Sequence, residues 1–353
     1  MRAALVIARA ILRIVPSSKA GWASAMASEI MHAKGRGACR FALGCLGAAV
    51  ALRVEAIGED AMKMVRAWGE RPRMTAAGCG VAASLAGLVY LAATDAPARM
   101  LASHAAAIPI GLLAFAMAAA TIRGAGGIVL ASGAALLVTA LSGVSLEGAA
   151  RWARIGSVAI QPSLVLLPAA ILLHLRHRSR TSDAGIAVAA VAMALQPDRA
   201  MAGVLLLSLL AAGPRAGRLA TLAAAGAFAV TLFRPDTLPA APWVDGVLVS
   251  AIGAGFVPGA AVIGGTAILL LPALFGLREG DATTRAFGAC WIAIVAAAAM
   301  GNYPTPLVGY GGSAILGYLL AAGVLPRRTA AARDGSAATP VEAPMSDALL
   351  RTA

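Results

Sequence analysis

Long runs of apolar residues, separated by short polar stretches, dominate the chain from about residue 74 onward. Most have lengths near the roughly 20 residues that a helix needs to cross a bilayer. Ten runs can be drawn, at residues 74–94, 101–122, 125–146, 157–175, 184–195, 200–213, 219–233, 246–277, 286–301 and 306–325. The pattern predicts an all-α polytopic membrane protein with about ten transmembrane helices.

The fifth and sixth runs are short and are separated by the polar turn Gln196-Pro197-Asp198-Arg199. Proline removes a backbone donor and interrupts a helix. We interpret the two runs as two spans joined by this turn, each extended a little by its flanks. One long kinked helix is the alternative.

Basic residues alternate from one connection to the next. Lysine and arginine concentrate at residues 63–73, 123, 176–180, 215–218, 278–285 and 327–328. Because cytoplasmic loops carry the excess of basic residues, these connections and both termini are predicted to lie inside. The connections 95–99, 147–156, 196–199, 234–245 and 302–305 then face outward, toward the periplasm in a Gram-negative cell.

Composition supports this topology. The 353-residue chain is 60% hydrophobic and 13% charged, whereas soluble domains are about a quarter charged. The net charge of +13 is carried mostly by short loops, so positive-inside topology explains it better than nucleic-acid binding. The four cysteines show neither metal-site spacing nor a disulfide framework, and the sequence indicates no soluble enzyme domain and no bound metal.

Residues 1–73 differ in character from the rest of the chain. Arg9 and Arg13 interrupt the first apolar stretch, which argues against a signal peptide, and residues 21–34 are typical of a short amphipathic helix. We expect a cytoplasmic or interfacial segment whose basic face meets anionic lipid; an eleventh span at residues 41–52 is the alternative. The tail, residues 327–353, has the composition of a disordered segment.

Polar groups in the outward connections are the candidate functional residues, because polar side chains are rare in such an apolar chain. In the first cluster, Arg151 and Arg154 lie on either side of Trp152. The guanidinium groups suit a phosphate. An interfacial tryptophan is ordinarily a membrane anchor, and on this stretch alone we place the anchor interpretation first.

The next two clusters have simple structural interpretations. The turn at residues 196–199 supplies Asp198, and a local ion pair that stabilises the turn is at least as well supported as a catalytic role. The connection 236–245 ends on Asp245, with Trp243 beside it. A solvated loop with an interfacial tryptophan is the favoured interpretation of that pattern.

The fourth cluster interrupts the last apolar run. Pro304, Pro306, Tyr310 and the turn Gly311-Gly312-Ser313 are unsuited to the middle of a lipid-facing helix. Irregular backbone at that depth is tolerated only where protein or a water-filled cavity covers it. The segment therefore predicts a cavity wall at the membrane surface, with a plain helix-entry turn as the alternative.

Four short motifs occur in one order along the chain. They are Gly148-Ala149-Ala150-Arg151-Trp152, Gln161-Pro162-Ser163, Gln196-Pro197-Asp198 and Pro306-Leu307-Val308-Gly309-Tyr310-Gly311-Gly312-Ser313. With these motifs, residues 74–326 resemble the SEDS family (shape, elongation, division and sporulation), which includes RodA and FtsW. Each motif is short, but their order on alternating spans makes the combination specific.

The resemblance implies a peptidoglycan glycosyltransferase of the bacterial cytoplasmic membrane. Such an enzyme polymerises lipid II at the outer face, in wall synthesis linked to cell shape or division. The implied partners are a class B penicillin-binding protein, lipid II or another undecaprenyl-linked precursor, and membrane lipids, without nucleic acid. No cofactor is required from the sequence, and the need for a divalent cation stays open.

The resemblance also implies roles for individual residues. The essential family carboxylate lies in the outer connection between the seventh and eighth spans and corresponds to Asp245, which would take the proton of the attacking sugar hydroxyl. Arg151 and Arg154 would balance the diphosphate charge. The residues expected to bind substrate are Arg151, Trp152, Arg154, Gln196, Asp198, Pro306, Tyr310, Gly311, Gly312 and Ser313.

Several positions depart from the family pattern. Leu164 replaces the glutamate after Gln-Pro-Ser, Gly309 replaces the serine before the tyrosine, and residues 254–255 replace a pair of glutamates. The outer connection before the eighth span is also short. Two alternatives to an active polymerase follow: a degenerate scaffold that binds a penicillin-binding protein or a lipid-linked precursor, and a transporter or flippase, with which the broken stretch 184–213 is compatible.

Overall fold

The computed structural model describes residues 2–33, 37–120, 124–146, 149–156, 158–234, 239–301 and 303–327. The predicted disordered tail therefore lies almost wholly outside the described residues. The chain divides into two compact units, Met1–Ala67 and Trp68–Ala353. Within the described residues there are fourteen α-helices, two short 3-10 turns and three short strands, so the predicted class of a helical, polytopic membrane protein is confirmed.

The first unit has its own apolar core. It contains α1 (Arg2–Ile14), a 3-10 turn (Ser17–Lys19), α2 (Ala20–His32) and most of α3 (Gly37–Glu70). The apolar positions of α1 recur at helical spacing, so one face is buried while Arg9 and Arg13 stay exposed. The buried residues of this core are Ala8, Ile11, Val15, Ala23, Ala27, Ile30, Ala42, Cys45 and Ala49.

Within the described residues, the ten apolar runs of the second unit form eleven helices, because the eighth run contains two. They are α4 (Pro72–Ala93), α5 (Ala98–Ala120), α6 (Ala125–Ser142), α7 (Pro162–Arg176), α8 (Arg180–Leu195), α9 (Arg199–Ala212), α10 (Arg218–Leu232), α11 (Val247–Ala254), α12 (Phe256–Glu279), α13 (Ala282–Met300) and α14 (Gly312–Val324). In the part of the chain that the structure describes, six helical stretches are long and apolar enough to cross a membrane, at residues 72–93, 98–120, 125–142, 199–216, 256–278 and 282–300.

Two of the runs are broken by local backbone chemistry. Residues 184–213 form two separate helices, α8 and α9, rather than one kinked helix, and the Asp198 carboxylate caps the second of them. The eighth run, 246–277, divides into α11 and α12 at Gly255, whose φ is 127°. Only glycine adopts that backbone conformation readily, so the glycine at position 255 accounts for the break.

A small antiparallel sheet occupies the connection between α6 and α7. Strands β1 (Val144–Leu146), β2 (Ala149–Ile155) and β3 (Val158–Ile160) pair in the order β1-β2-β3. The two apolar runs that flank this connection were predicted to be helical up to residue 146 and from residue 157. Their ends form strands instead, because pairing with β2 satisfies their backbone groups where the helices have stopped.

Close backbone approach sets the packing of the helices. The helix α6 packs along α8, α12 packs against α4, and α14 packs against α5 and α7. At the first of these contacts, a Cβ on Gly185 would lie 2.7 Å from the backbone nitrogen of Leu130. Small residues of this kind let membrane helices approach closely.

The centre of the core is aromatic. The rings of Phe287, Trp291 and Tyr318 are buried, with 4.7 Å between the Trp291 and Tyr318 centroids and 5.5 Å between the Phe287 and Tyr318 centroids. The Tyr318 hydroxyl donates to the Leu269 carbonyl at 3.4 Å. This cluster therefore joins α12, α13 and α14 below the outer surface.

We predict that Gly133→Ala destabilises the protein by about 1–3 kcal/mol, the usual cost of overpacking a well-packed contact. A Cβ at Gly133 would collide with the carbonyl oxygen of Gly185. Gly127 lies on the same helix with nothing within 4 Å of its Cβ direction, so Gly127→Ala is the matched control. Thermal unfolding in detergent should show a lower Tm for the first variant alone; equal Tm values would contradict this account of the α6–α8 contact.

Candidate functional site

A cavity of about 720 Å³ brings together most of the sequence-predicted site residues. It is lined by β2, β3, the start of α7, the chain before α11, and the segment 303–313, with apolar walls from α5 and α14. Of the residues expected to catalyse or bind substrate, those that line it are Arg151, Trp152, Asp245, Tyr310, Gly311, Gly312 and Ser313.

Asp245 lies on a loop that is held against the segment 303–310. Asp245 and Pro304 form an isolated antiparallel bridge, and the Thr305 backbone N–H donates to the Val244 carbonyl at 2.9 Å. The Tyr310 N–H donates to the Trp243 carbonyl at 2.6 Å. The helix-breaking segment therefore positions the carboxylate as well as forming a wall.

The environment of Asp245 makes its carboxylate a stronger base. Partial burial raises the pKa of Asp245 above its ordinary value, because burial disfavours the charged form. A hydrogen bond from the Ala241 backbone N–H to Oδ2, at 2.8 Å, acts in the opposite direction and is the smaller effect. The result suits a group that must accept a proton.

The backbone is strained where the Asp245 loop meets the segment 303–310. Trp243 and Leu307 both have a φ of 61°, a left-handed conformation that costs a residue with a side chain on the order of 1–3 kcal/mol. The Trp243 indole Nε1–H donates to the Thr94 carbonyl at 3.4 Å, and Leu307 is fully buried. These contacts hold the conformation in place.

Gly309 explains one departure from the family pattern. A Cβ at this position would lie 3.1 Å from the carbonyl oxygens of both Thr305 and Trp243. That spacing is tighter than side chains normally accept, so glycine lets the Asp245 loop pack directly on the segment. Glycine at this position lacks the hydroxyl of the serine in the motif that it resembles, but it permits a closer backbone contact.

Behind the cavity lies a buried polar network centred on Asp198, which is 0% exposed. Its Oδ1 accepts the Met201 backbone N–H at 3.1 Å and caps α9. Its Oδ2 accepts the Ser163 hydroxyl at 3.2 Å and the Gln161 amide at 3.3 Å. Asp198 therefore supports the cavity wall from behind and is not part of the lining.

Gln161 links this network to the last apolar run. Its side-chain nitrogen also lies 3.2 Å from the Tyr303 hydroxyl, and its backbone N–H donates to Ser313 Oγ at 3.0 Å. Burial, with a smaller contribution from the nearby Asp198 charge, raises the pKa of Tyr303 well above its ordinary value, so the hydroxyl stays protonated. Sequence reasoning missed Tyr303; the available signal was a tyrosine in an outward connection of a chain with four tyrosines.

The arginines of the outer surface differ in placement. Arg151 is buried beside the cavity, and its Nη2 donates to the Pro197 carbonyl at 2.5 Å. Arg154 is exposed and does not line the cavity. Of the two cations predicted to face a diphosphate, Arg151 alone lies at the cavity within the described residues.

The other two predicted binding residues have structural contacts. Gln196 is buried and donates from Nε2 to the Leu136 carbonyl at 3.0 Å. Pro306, within the segment 303–313, is buried and does not line the cavity. Across the described part of the chain, no group of three or more His, Cys, Asp or Glu side chains is placed to hold a metal ion.

The overall fold is similar to that of a known membrane protein. A crystal structure of Thermus thermophilus rod shape determining protein RodA matches with a TM-score of 0.50 and 20% sequence identity, over 73% of this chain and 94% of that chain. The structure of an aspartate-to-alanine mutant of that protein matches with the same TM-score and 21% identity, over 73% and 95%. No family model and no curated protein matches the sequence. The chain therefore has a RodA-like, SEDS-type fold.

We predict that Asp198→Ala destabilises the protein by about 3 kcal/mol or more, since it removes a helix cap and leaves buried donors unpaired. Asp281 is the control, because it caps α13 at the surface through the backbone N–H groups of Thr283 and Thr284. Asp281→Ala should cost only about 1 kcal/mol. Comparable losses in thermal unfolding would show that the buried network contributes little.

Proposed function

We propose that this chain polymerises a lipid-linked glycan precursor of the lipid II type at the outer face of the bacterial cytoplasmic membrane. The reaction would serve wall synthesis linked to cell shape or division. The observation that carries the proposal is the cavity in which Asp245, Arg151 and the beginning of α14 at Gly311–Ser313 meet. The RodA-like fold supports it, since the similar solved protein is described as rod shape determining.

The chemistry of the cavity suits an amphiphilic ligand. Ala107, Ile110 and Leu316 contribute apolar surface from α5 and α14, which suits an isoprenoid chain. Arg151 and Asp245 supply opposite charges at the same cavity. Apolar walls with a few placed polar groups are typical of small-molecule sites.

The proposed reaction is a displacement at an anomeric carbon. The Asp245 carboxylate takes the proton of the attacking sugar hydroxyl as the new glycosidic bond forms. The bond from the anomeric carbon to the lipid diphosphate breaks, and the diphosphate leaves with the bonding electron pair. Arg151 stabilises that developing negative charge in a partly desolvated setting. Gly311 and Gly312 let the backbone approach the substrate closely.

A catalytically degenerate scaffold is the second candidate, and one observation favours it. Leu164, which replaces the glutamate after Gln161-Pro162-Ser163, is 1% exposed and packed in the core. That position offers no carboxylate for substrate or partner. Under this alternative the cavity binds a lipid-linked precursor without polymerising it. In both cases we propose a class B penicillin-binding protein as the partner.

We expect Asp245→Asn to lower lipid II polymerisation by at least about 100-fold, the usual contribution of a positioned general base. The assay uses the purified full chain, alone and with candidate class B penicillin-binding proteins. Asp95→Asn is the control, because Asp95 is an exposed outer carboxylate outside the cavity and its φ of 53° suits asparagine.

Two results would separate the candidates. Polymerisation that survives Asp245→Asn would remove Asp245 from the proposed role. Wild-type protein that copurifies with its partner and binds lipid II, but forms no polymer, would select the scaffold.

The pH dependence should report on the same carboxylate. Because partial burial raises the pKa of Asp245 above the ordinary 3.8, polymerisation should fall as the pH drops through that raised value and the base becomes protonated. Stability should change in the opposite sense, because the folded state binds the proton more tightly than the unfolded state. Asp245→Asn should therefore raise the Tm at neutral pH, and the gain should shrink toward acid; a lower Tm at neutral pH would contradict this assignment.

A further inference from the structure

Arginines gather at the end of the second unit that lies away from the Asp245 cavity. The helices α7 and α14 both begin at that cavity, next to Gln161 and Gly311. At the far end of the same helices, Arg176 donates to the Val324 carbonyl. The basic residues that follow α7 therefore lie next to the end of α14, at one end of the second unit.

Some of these arginines have a structural role. Arg73 donates to the carbonyls of Leu325 and Ala119, and Arg285 donates to the Ala211 carbonyl at 3.0 Å. The last carbonyls of a helix lack partners within the helix and carry partial negative charge. Arg73, Arg176 and Arg285 thus stabilise the ends of α5, α9 and α14.

Helix ends do not explain the placement of Arg178 and Arg215. Arg178 and Arg215, together with Arg176, line a second cavity of about 440 Å³, whose other lining residues are Leu175 and Pro214. Arg215 belongs to the 3-10 turn Gly213–Ala216 that joins α9 to α10. Three arginines from two different parts of the chain therefore line one space.

The Arg178 side chain is held in place. Its Nε lies 3.4 Å from Asp183 Oδ1 and 2.8 Å from the position that a Cβ on Gly217 would occupy. Gly217 has a φ of 79°, so glycine both permits the turn and makes room for the guanidinium. A preorganised guanidinium loses little freedom when it binds an anion.

The charge around this cavity is positive. Two carboxylates act on its arginines: Asp183 lies beside Arg178, and the charge of Asp281 acts on Arg176. His174 lies 3.8 Å from Asp183 and shares that carboxylate. Within the described residues, Arg215 has no carboxylate partner. Three cations against two carboxylates leave the cavity short of negative charge.

We propose that this arginine cavity, lined by Arg176, Arg178 and Arg215, binds a phosphate group. Guanidinium groups match phosphate oxygens in charge and in geometry. The apolar surface beside it favours the headgroup of an anionic phospholipid as the source. Leu210 and Leu219 flank the 3-10 turn and are 55% and 59% exposed, where acyl chains can cover them. Basic pockets between membrane helices are known to bind anionic headgroups.

The test compares two double variants of the full chain with the same change in net charge. Arg178→Gln with Arg215→Gln removes two cavity arginines. Arg180→Gln with Arg218→Gln removes two exposed arginines from the same two connections, neither of which lines the cavity. Binding is measured on detergent-purified protein by native mass spectrometry and by the shift in Tm, with phosphatidylglycerol, phosphatidylcholine and inorganic phosphate as separate probes.

The wild type should bind phosphatidylglycerol more tightly than phosphatidylcholine. The cavity double variant should lose about 30-fold in phosphatidylglycerol affinity, while the control double variant keeps most of it. A cavity-dependent response to inorganic phosphate without selectivity for phosphatidylglycerol would support the same site with a soluble phosphate as its ligand. Absence of both responses, or equal losses in the two double variants, would overturn the proposal.

A second pair of variants guards against misfolding. If the cavity double variant is not monodisperse, Arg215→Gln alone is compared with Arg218→Gln. Arg215 makes no ion pair within the described residues, so its loss should leave the fold intact. A selective loss of phosphatidylglycerol or phosphate binding in Arg215→Gln supports the site, and unchanged binding overturns it.

Discussion

The cavity half of the second unit depends on the hydrogen bonds that the buried Asp198 carboxylate accepts. One oxygen caps α9, and the other accepts from Ser163 and Gln161 at the start of α7. Gln161 then contacts Tyr303 and Ser313, on both sides of the turn into α14. A charge can be buried this deeply only if its lone pairs are satisfied. The network therefore holds together the start of α7, the start of α9 and the chain that leads into α14. The cavity lies on one side of this network.

The cavity contains some residues of the motifs that the sequence resembles and lacks others. The wall of glycines, Tyr310 and Ser313 is present, and Asp245 is held against it by backbone pairing. Leu164 and Gly309 replace polar family residues, yet both have clear packing roles: the first is core, and the second permits the close approach of two carbonyls. Both residues therefore serve packing at positions where the motifs that they resemble have polar groups.

The two ends of the bundle use charge differently. At the outer end, a single buried arginine, Arg151, lies at the cavity and hydrogen-bonds to the backbone before α9. At the basic end, Arg73, Arg176 and Arg285 satisfy carbonyls at the ends of helices. The capping of helix ends does not explain Arg178 and Arg215, and this distinguishes their cavity from ordinary helix capping.

The sequence by itself determined the membrane class, the positions of the ten apolar runs and the polar clusters that hold Arg151, Asp245 and Tyr310, because hydropathy is a local property of a chain. It also contained the break at Gly255, since only glycine adopts that backbone readily. Tertiary structure alone decided that Asp198 supports the wall from behind, that Tyr303 joins it, and that the Asp245 loop pairs with residues 304–310. Those contacts join residues far apart in the chain, and they follow from how closely the helices pack, which apolar periodicity does not encode.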